Sequence, residues 1–198
     1  PAVRKQRRLR AWRHPDLDDR LGRRRMIAEA RLMVRLHRIG LNVPILYDCD
    51  IEQQQLVMSN IPGQPLIELL NDRSIADDVV QNHLRSAGRS IRMLHRQAIV
   101  HGDLSTNNII IQPSGEAVLI DFGLAKIEFE TELYGIDLHV LFEILGASHP
   151  HRNHAMDAVL EGYTQCEKEL GPPASTPGGD PVSMDDVIER FDLIRTRV

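Results

Sequence analysis

Between residues 101 and 123 the chain alternates polar and apolar segments in a way few folds accommodate. The polar string His101-Gly102-Asp103-Leu104-Ser105-Thr106-Asn107-Asn108 leads into an apolar run ending at Ile111, the turn Pro113-Ser114-Gly115, a second apolar run from Ala117 to Ile120, and then Asp121-Phe122-Gly123. Two short apolar runs joined by a Pro/Gly turn predict a β-hairpin. A hairpin brings its ends together, so the spacing predicts that Asn108 and Asp121, thirteen residues apart, meet with Asp103 close by. Two oxygen donors beside a carboxylate suit Mg²⁺, which takes few protein oxygens and completes its octahedron with phosphate and water. Such a set has the parts needed for phosphoryl transfer.

The rest of the chain is long enough to build a pocket around this segment. Its 198 residues, 42% hydrophobic and 26% charged, fit a globular protein of one domain or one domain with two lobes. No apolar run is long enough to span a membrane. Cys49 and Cys166 are the only cysteines, with no CxxC, which predicts a reducing, intracellular setting and no zinc site. The net charge of −4 conceals an asymmetry: residues 1–40 carry thirteen basic against four acidic side chains, a net +9, and residues 41–198 carry −13. Such a basic block fits a polyanion, an acidic partner or a solvated helix face. The chain opens at Pro1 inside a basic, apolar stretch, and a truncated N-terminus is expected.

Val3 to Leu9 reads as the end of a strand. His14-Pro15-Asp16 then opens a helix that runs to about Gly40, with Leu17, Leu21, Ile27, Ala30, Met33 or Val34, and Leu36 or Ile39 at helical spacing. Val43–Tyr47 and Gln55–Met58 are strand candidates. Ile61-Pro62-Gly63-Gln64-Pro65 then breaks the chain, so residues 1–60 and 61–198 are expected to form a small lobe and a larger helical one. From Asp77 to about Gln97 the positions Val80, Leu84, Ala87, Ile91 and Leu94 step by 4, 3, 4 and 3, the period of a buried helix stripe. Ile136–Leu145, Ala155–Tyr163 and Met184–Ile194 are further helix candidates, and Gly171–Pro181 is a Pro/Gly-rich loop.

The strings HGDLSTNN and DFG resemble the catalytic loop H-R-D-x-x-x-x-N and the metal-binding D-F-G of protein kinases. Upstream, Ala2-Val3-Arg4-Lys5 resembles the strand whose lysine holds the nucleotide phosphates, with Glu29 in place as its ion-pair partner, and Met58 through Ser59, Asn60 and Ile61 resembles a gatekeeper and hinge. The departures are as telling. Gly102 replaces the usual arginine, and only thirteen residues separate Gly123 from Asp137, so no phosphate-ordered activation loop is expected and control should come from a partner protein. Together with Trp12-Arg13-His14-Pro15, Arg23-Arg24-Arg25, Glu29-Ala30-Arg31 and Gly135-Ile136-Asp137-Leu138, these motifs are similar to the small atypical kinases of the KEOPS (EKC) complex, the p53-related protein kinase family.

That resemblance implies an α+β, minimal two-lobed kinase-like fold, its N-lobe reduced to the end of strand three, a long basic helix C and strands four and five. It implies ATP and Mg²⁺ as cofactors, Asp103 and Asn108 as catalytic residues, Asn108 and Asp121 as metal ligands, and Lys5, Glu29, Met58, Asn60, Ile61 and Ile120 around the nucleotide. The implied activity is that of a serine/threonine kinase or ATPase in threonylcarbamoyladenosine modification of tRNA, in the cytoplasm or nucleus. Its partners would be a carbamoyltransferase-like subunit on the C-lobe side, a small subunit on the N-lobe, and tRNA as a further candidate for the basic helix. The alternatives are a kinase-fold scaffold without activity, favoured by the missing glycine-rich loop, and a small-molecule phosphotransferase sharing HGDxxxxN. His101 is expected to pack and hydrogen-bond in the core, while His14, His37, His95, His149, His151 and His154 are given no catalytic or metal role.

Overall fold

Pro15, with Asp16 and Asp18 in the first turn, opens a 24-residue helix, α1 (Pro15–Arg38), in a computed structural model that describes residues 1–6, 12 and 14–196. The chain divides into two compact units, Pro1–Ile61 with Asp121–Ala125, and Pro62–Ile120 with Lys126–Val198. In the first, β1 (Ala2–Gln6), β2 (Leu46–Asp50) and β3 (Gln55–Ser59) form an antiparallel sheet in the order β1-β3-β2. Lys5 pairs with Leu56 in this ladder, and directly opposed residues share a face, so the Lys5 stem runs beside a buried leucine. The buried line of α1 is Gly22, Met26, Glu29, Ala30, Leu32, Met33 and Leu36. Of the expected stripe, Ala30, Met33 and Leu36 are buried, whereas Leu17 is exposed and Ile27 only half-buried; of the alternatives Leu36 or Ile39 it is Leu36 that faces inward. The helix is turned so that Glu29, a charged residue an apolar count passes over, faces inward. β2 starts at Leu46 rather than Val43 because Pro44 has no N–H to give a ladder. Residues 7–9 of the expected first strand, the arginines Arg8, Arg10, Arg13 and Arg197, and part of Trp12-Arg13-His14-Pro15 lie outside the described residues.

The second unit is built on two helices, α3 (Asp77–His95) and α5 (Ala155–Leu170). Val80, Leu84, Ala87, Ile91 and Leu94 of α3 are all at most 2% exposed, as their spacing predicts. The two helices touch backbone to backbone. A Cβ on Gly88 would run into the Val159 carbonyl and one on Gly162 into the Arg85 carbonyl, so glycine is required at both positions. The hairpin forms as β6 (Ile109–Ile111) and β7 (Ala117–Leu119), and β4 (Gln64–Pro65) adds a third strand beside β6. β5 (Ile99–Val100) pairs with β8 (Lys126–Ile127) just before the polar loop. The short helix α2 (Leu66–Asn71) follows β4, while α4 (Thr131–Ser148) and α6 (Met184–Arg195) pack together, with Gly135 against the backbone of Phe191. α4 begins five residues before the expected start at Ile136, and α5 extends past Tyr163 until Gly171, at φ +71°, stops it. The architecture is α+β, and among the described residues no helix is long and apolar enough to cross a membrane.

Candidate active site

In the first unit, β1 carries Lys5 and the inner face of α1 carries Glu29. The Lys5 Nζ donates to Glu29 Oε1 at 2.7 Å and to Asp121 Oδ1 at 2.6 Å. Glu29 is buried, whereas Lys5 and Asp121 keep 36% and 45% of their side chains exposed. Burial pulls the Lys5 pKa down, but Glu29 and then Asp121 outweigh it, and the net shift is upward from 10.5. The ammonium therefore stays charged, facing two carboxylates and solvent. Asp121 sits at φ +62°, a left-handed conformation that costs a non-glycine residue energy. Its Oδ1 also accepts the Gly123 N–H at 3.2 Å. A Cβ on Gly123 would stand 3.1 Å from Asp121 Oδ1, 3.4 Å from Glu29 Oε2 and 3.5 Å from Lys5 Nζ, so the third residue of the DFG string lies directly against the charged cluster. Met58 is buried on β3 opposite Val3, and exposed Asn60 donates its N–H to the Pro1 carbonyl at 3.2 Å, with half-buried Ile61 next in the chain.

In the second unit, Asn108 Nδ2 donates to the Asp103 carbonyl at 2.9 Å and to Asp103 Oδ2 at 3.1 Å. This orientation leaves the Asn108 amide oxygen with no hydrogen bond from the described residues. The Asp103 carboxylate is exposed at the mouth of the hairpin, whose base is closed by Ile120 N–H to the Asn108 carbonyl at 3.0 Å. His101 is buried, and its Nε2 lies 3.0 Å from the Ile120 carbonyl, the packing role expected of it. The loop is gripped from below by Asp137 of α4, which is 3% exposed. Its Oδ2 accepts the His101 N–H at 2.5 Å and its Oδ1 the Gly102 N–H at 2.8 Å. Two backbone donors on one buried carboxylate fix the loop just before Asp103, with Gly102 at φ +76° making the turn. Sequence reasoning quoted Asp137 in a motif and gave it no role. Its available signal was an acidic residue between the apolar residues Ile136 and Leu138 of a helix.

Asn108 in the second unit offers an amide oxygen and Asp121 in the first a carboxylate, both hard oxygen donors of the kind Mg²⁺ takes. Among the described residues no group of three or more His, Cys, Asp or Glu side chains could hold a metal ion. Residues 3–129 match the family model described as the RIO domain. Among curated proteins, the KEOPS complex subunit Bud32 of Pyrococcus abyssi is 36% identical over 83% of this chain and 74% of its own. The EKC/KEOPS complex subunit Tp53rkb of Mus musculus is 34% identical over 99% of this chain and 78% of its own. The chain belongs to the RIO-domain family, in its Bud32 line. A further relative, a probable bifunctional tRNA threonylcarbamoyladenosine biosynthesis protein of Methanoculleus marisnigri, is 39% identical over 81% of this chain, which covers 28% of that longer protein. Membership of the RIO-domain family carries the atypical kinase or ATPase kind of chemistry.

Proposed function

We propose that the protein is a Mg²⁺-dependent ATPase and phosphotransferase that works as the Bud32-type subunit of a KEOPS assembly in threonylcarbamoyladenosine modification of tRNA. The observation that carries the chemistry is the Lys5 ammonium, held at 2.7 Å by a buried glutamate and at 2.6 Å by Asp121, which keeps a positive point charge where phosphate oxygens can replace a carboxylate contact. Asn108 and Asp121 would hold Mg²⁺, whose charge offsets that of the phosphate oxygens in transfer. Asp103, exposed and oriented by Asn108, accepts the proton of the attacking water or hydroxyl. The backbone and side chains of Met58, Asn60, Ile61 and Ile120 receive the adenine. Serine or threonine hydroxyls are the acceptors of a kinase reaction at this site.

Relatives named as KEOPS and EKC/KEOPS subunits support the assembly role. A depression of about 310 Å³ between α1 and β2, floored by Ala30, Val34 and Leu46 and rimmed by Arg31, Arg35 and Arg38, supports a small, acidic-faced partner on the first unit. A carbamoyltransferase-like subunit would then bind the second unit, and tRNA phosphate competes for the exposed arginines of α1, in the cytoplasm or the nucleus. The test is ATP hydrolysis by the purified protein with and without Mg²⁺, alone and with its carbamoyltransferase-like partner. Turnover that needs Mg²⁺ and rises with the partner is expected. No turnover under either condition, with no Mg²⁺-dependent nucleotide binding, would overturn the reading.

A further inference from the structure

Behind the catalytic loop a line of buried polar groups crosses the second unit, and its proton order can be deduced. Arg92 of α3 is fully buried, and its guanidinium can only donate. Its Nε meets Glu167 Oε2 at 2.9 Å, its Nη1 meets the Tyr163 hydroxyl oxygen at 3.2 Å, and both terminal nitrogens reach the Val182 carbonyl at 3.4 Å. The Tyr163 oxygen is thus an acceptor from Arg92, and its own proton is left for His95 Nδ1, 2.9 Å away. Burial pushes the Tyr163 phenol up and the His95 imidazolium down, so the phenol is protonated and the imidazole neutral.

A neutral imidazole that accepts at Nδ1 carries its proton on Nε2. That atom lies 3.4 Å from Asp137 Oδ2, the oxygen that holds the His101 N–H. The opposite tautomer would turn a lone pair toward the carboxylate and leave the Tyr163 proton without a described acceptor. The His95 ring is wedged edge-on against Tyr134 and Tyr163, with centroids 4.9 and 5.6 Å away, which opposes its rotation.

We propose that Tyr163 is a positioning residue for the reaction. By donating to His95 Nδ1 it fixes the tautomer whose Nε2–H faces Asp137, and so steadies the carboxylate that holds the backbone of His101 and Gly102 beside Asp103. Arg92 and Glu167, with Arg96 bound to Glu167 and to the Gly171 carbonyl at 2.5 Å each, are the far anchor that orients the tyrosine. The proposal rests on the reading of Asp103 as the base in ATP turnover, and its test separates the two.

The experiment combines ¹⁵N spectra of histidine-labelled protein, with the His95 signals assigned by their loss in His95→Asn, and steady-state ATP hydrolysis by Tyr163→Phe. The parent should show an unprotonated Nδ1 and a protonated Nε2. In Tyr163→Phe that single signature should give way to a mixture, kcat should fall about tenfold, the scale of one unmade buried hydrogen bond, and the KM for ATP should stay within about twofold. A merely structural tyrosine would change stability without moving the tautomer or splitting kcat from KM. A parent protonated at Nδ1, or a variant with unchanged kcat, overturns the proposal. If the variant does not fold, the parent spectrum still decides it. If the parent does not turn over ATP, the function reading fails and the tautomer still tests the hydrogen-bond chain.

Discussion

The two units hold their charged residues in opposite ways. In the first, Lys5 and Asp121 meet at the surface, each more than a third exposed, with only Glu29 buried behind them. In the second, Arg92, His95 and Asp137 are essentially removed from solvent and matched to one another and to backbone groups. Exposed pairs add little to stability, typically ~0–1 kcal/mol, but exchange readily for a charged ligand. Buried polar groups in a matched network are costly to disrupt and hold one geometry. The first arrangement suits binding phosphate, and the second suits holding a loop still.

Removing a buried partner should therefore cost far more than altering an exposed one. Asp137→Ala leaves two backbone N–H groups and a histidine N–H without their acceptor, and should destabilise the protein by roughly 3–5 kcal/mol, read as a drop in the urea midpoint. A change below about 1 kcal/mol would mean that the grip is ornamental. Gly88→Ala forces a methyl into the Val159 carbonyl where α3 crosses α5, and should cost about 1–3 kcal/mol or more by the same measurement. In the first unit, Lys5→Arg should leave stability within about 1 kcal/mol while lowering ATP turnover roughly tenfold, about 1.4 kcal/mol of transition-state binding. An arginine variant as active as the parent would return Lys5 to an ordinary surface cation.

The smallest expected effect is a pH dependence, which the comparison places in the second unit. Burial holds the pKa values of His83, His95 and His149 below 6.5. The unfolded chain takes up these protons first on acidification, so stability is full above about pH 6.5 and declines as pH falls below it toward the folded values. Glu167 is also depressed: burial acts to raise its pKa, but Arg92 and Arg96 outweigh it, so its contribution is lost only below about pH 4.5, its unfolded value. Thermal unfolding between pH 8 and 5 should show the first decline. A flat profile would contradict the buried, neutral histidines.

Much of this was legible in the chain. The α3 stripe has a strict period and a single buried face, so counting suffices, and the hairpin is a local structure written by its turn. The α1 face was legible at Ala30, Met33 and Leu36 but not along its first turns, because its inward residues include Glu29, whose burial depends on a lysine on a strand, and because Leu17 is apolar yet exposed. The β5–β8 pair escaped because two-residue strands carry no period and are specified by partners 26 and 28 residues away. Asp137 escaped for a related reason: its hydrogen-bond partners are backbone groups, which have no residue identity to read. Lys5, Glu29 and Asp121 do come together, whereas the grouping of Asp121–Ala125 with the first unit is a matter of packing that no local pattern announces.

The most direct test of the account is ATP turnover by Asp103→Ala. Asp103 is exposed and its carboxylate accepts a hydrogen bond from Asn108 in the same loop, so the fold and nucleotide affinity should be nearly unchanged by its removal. Turnover should fall by about 10²-fold or more, the contribution of one positioned base. A variant that binds ATP and hydrolyses it at the parent rate would contradict the assignment of this loop as the catalytic centre.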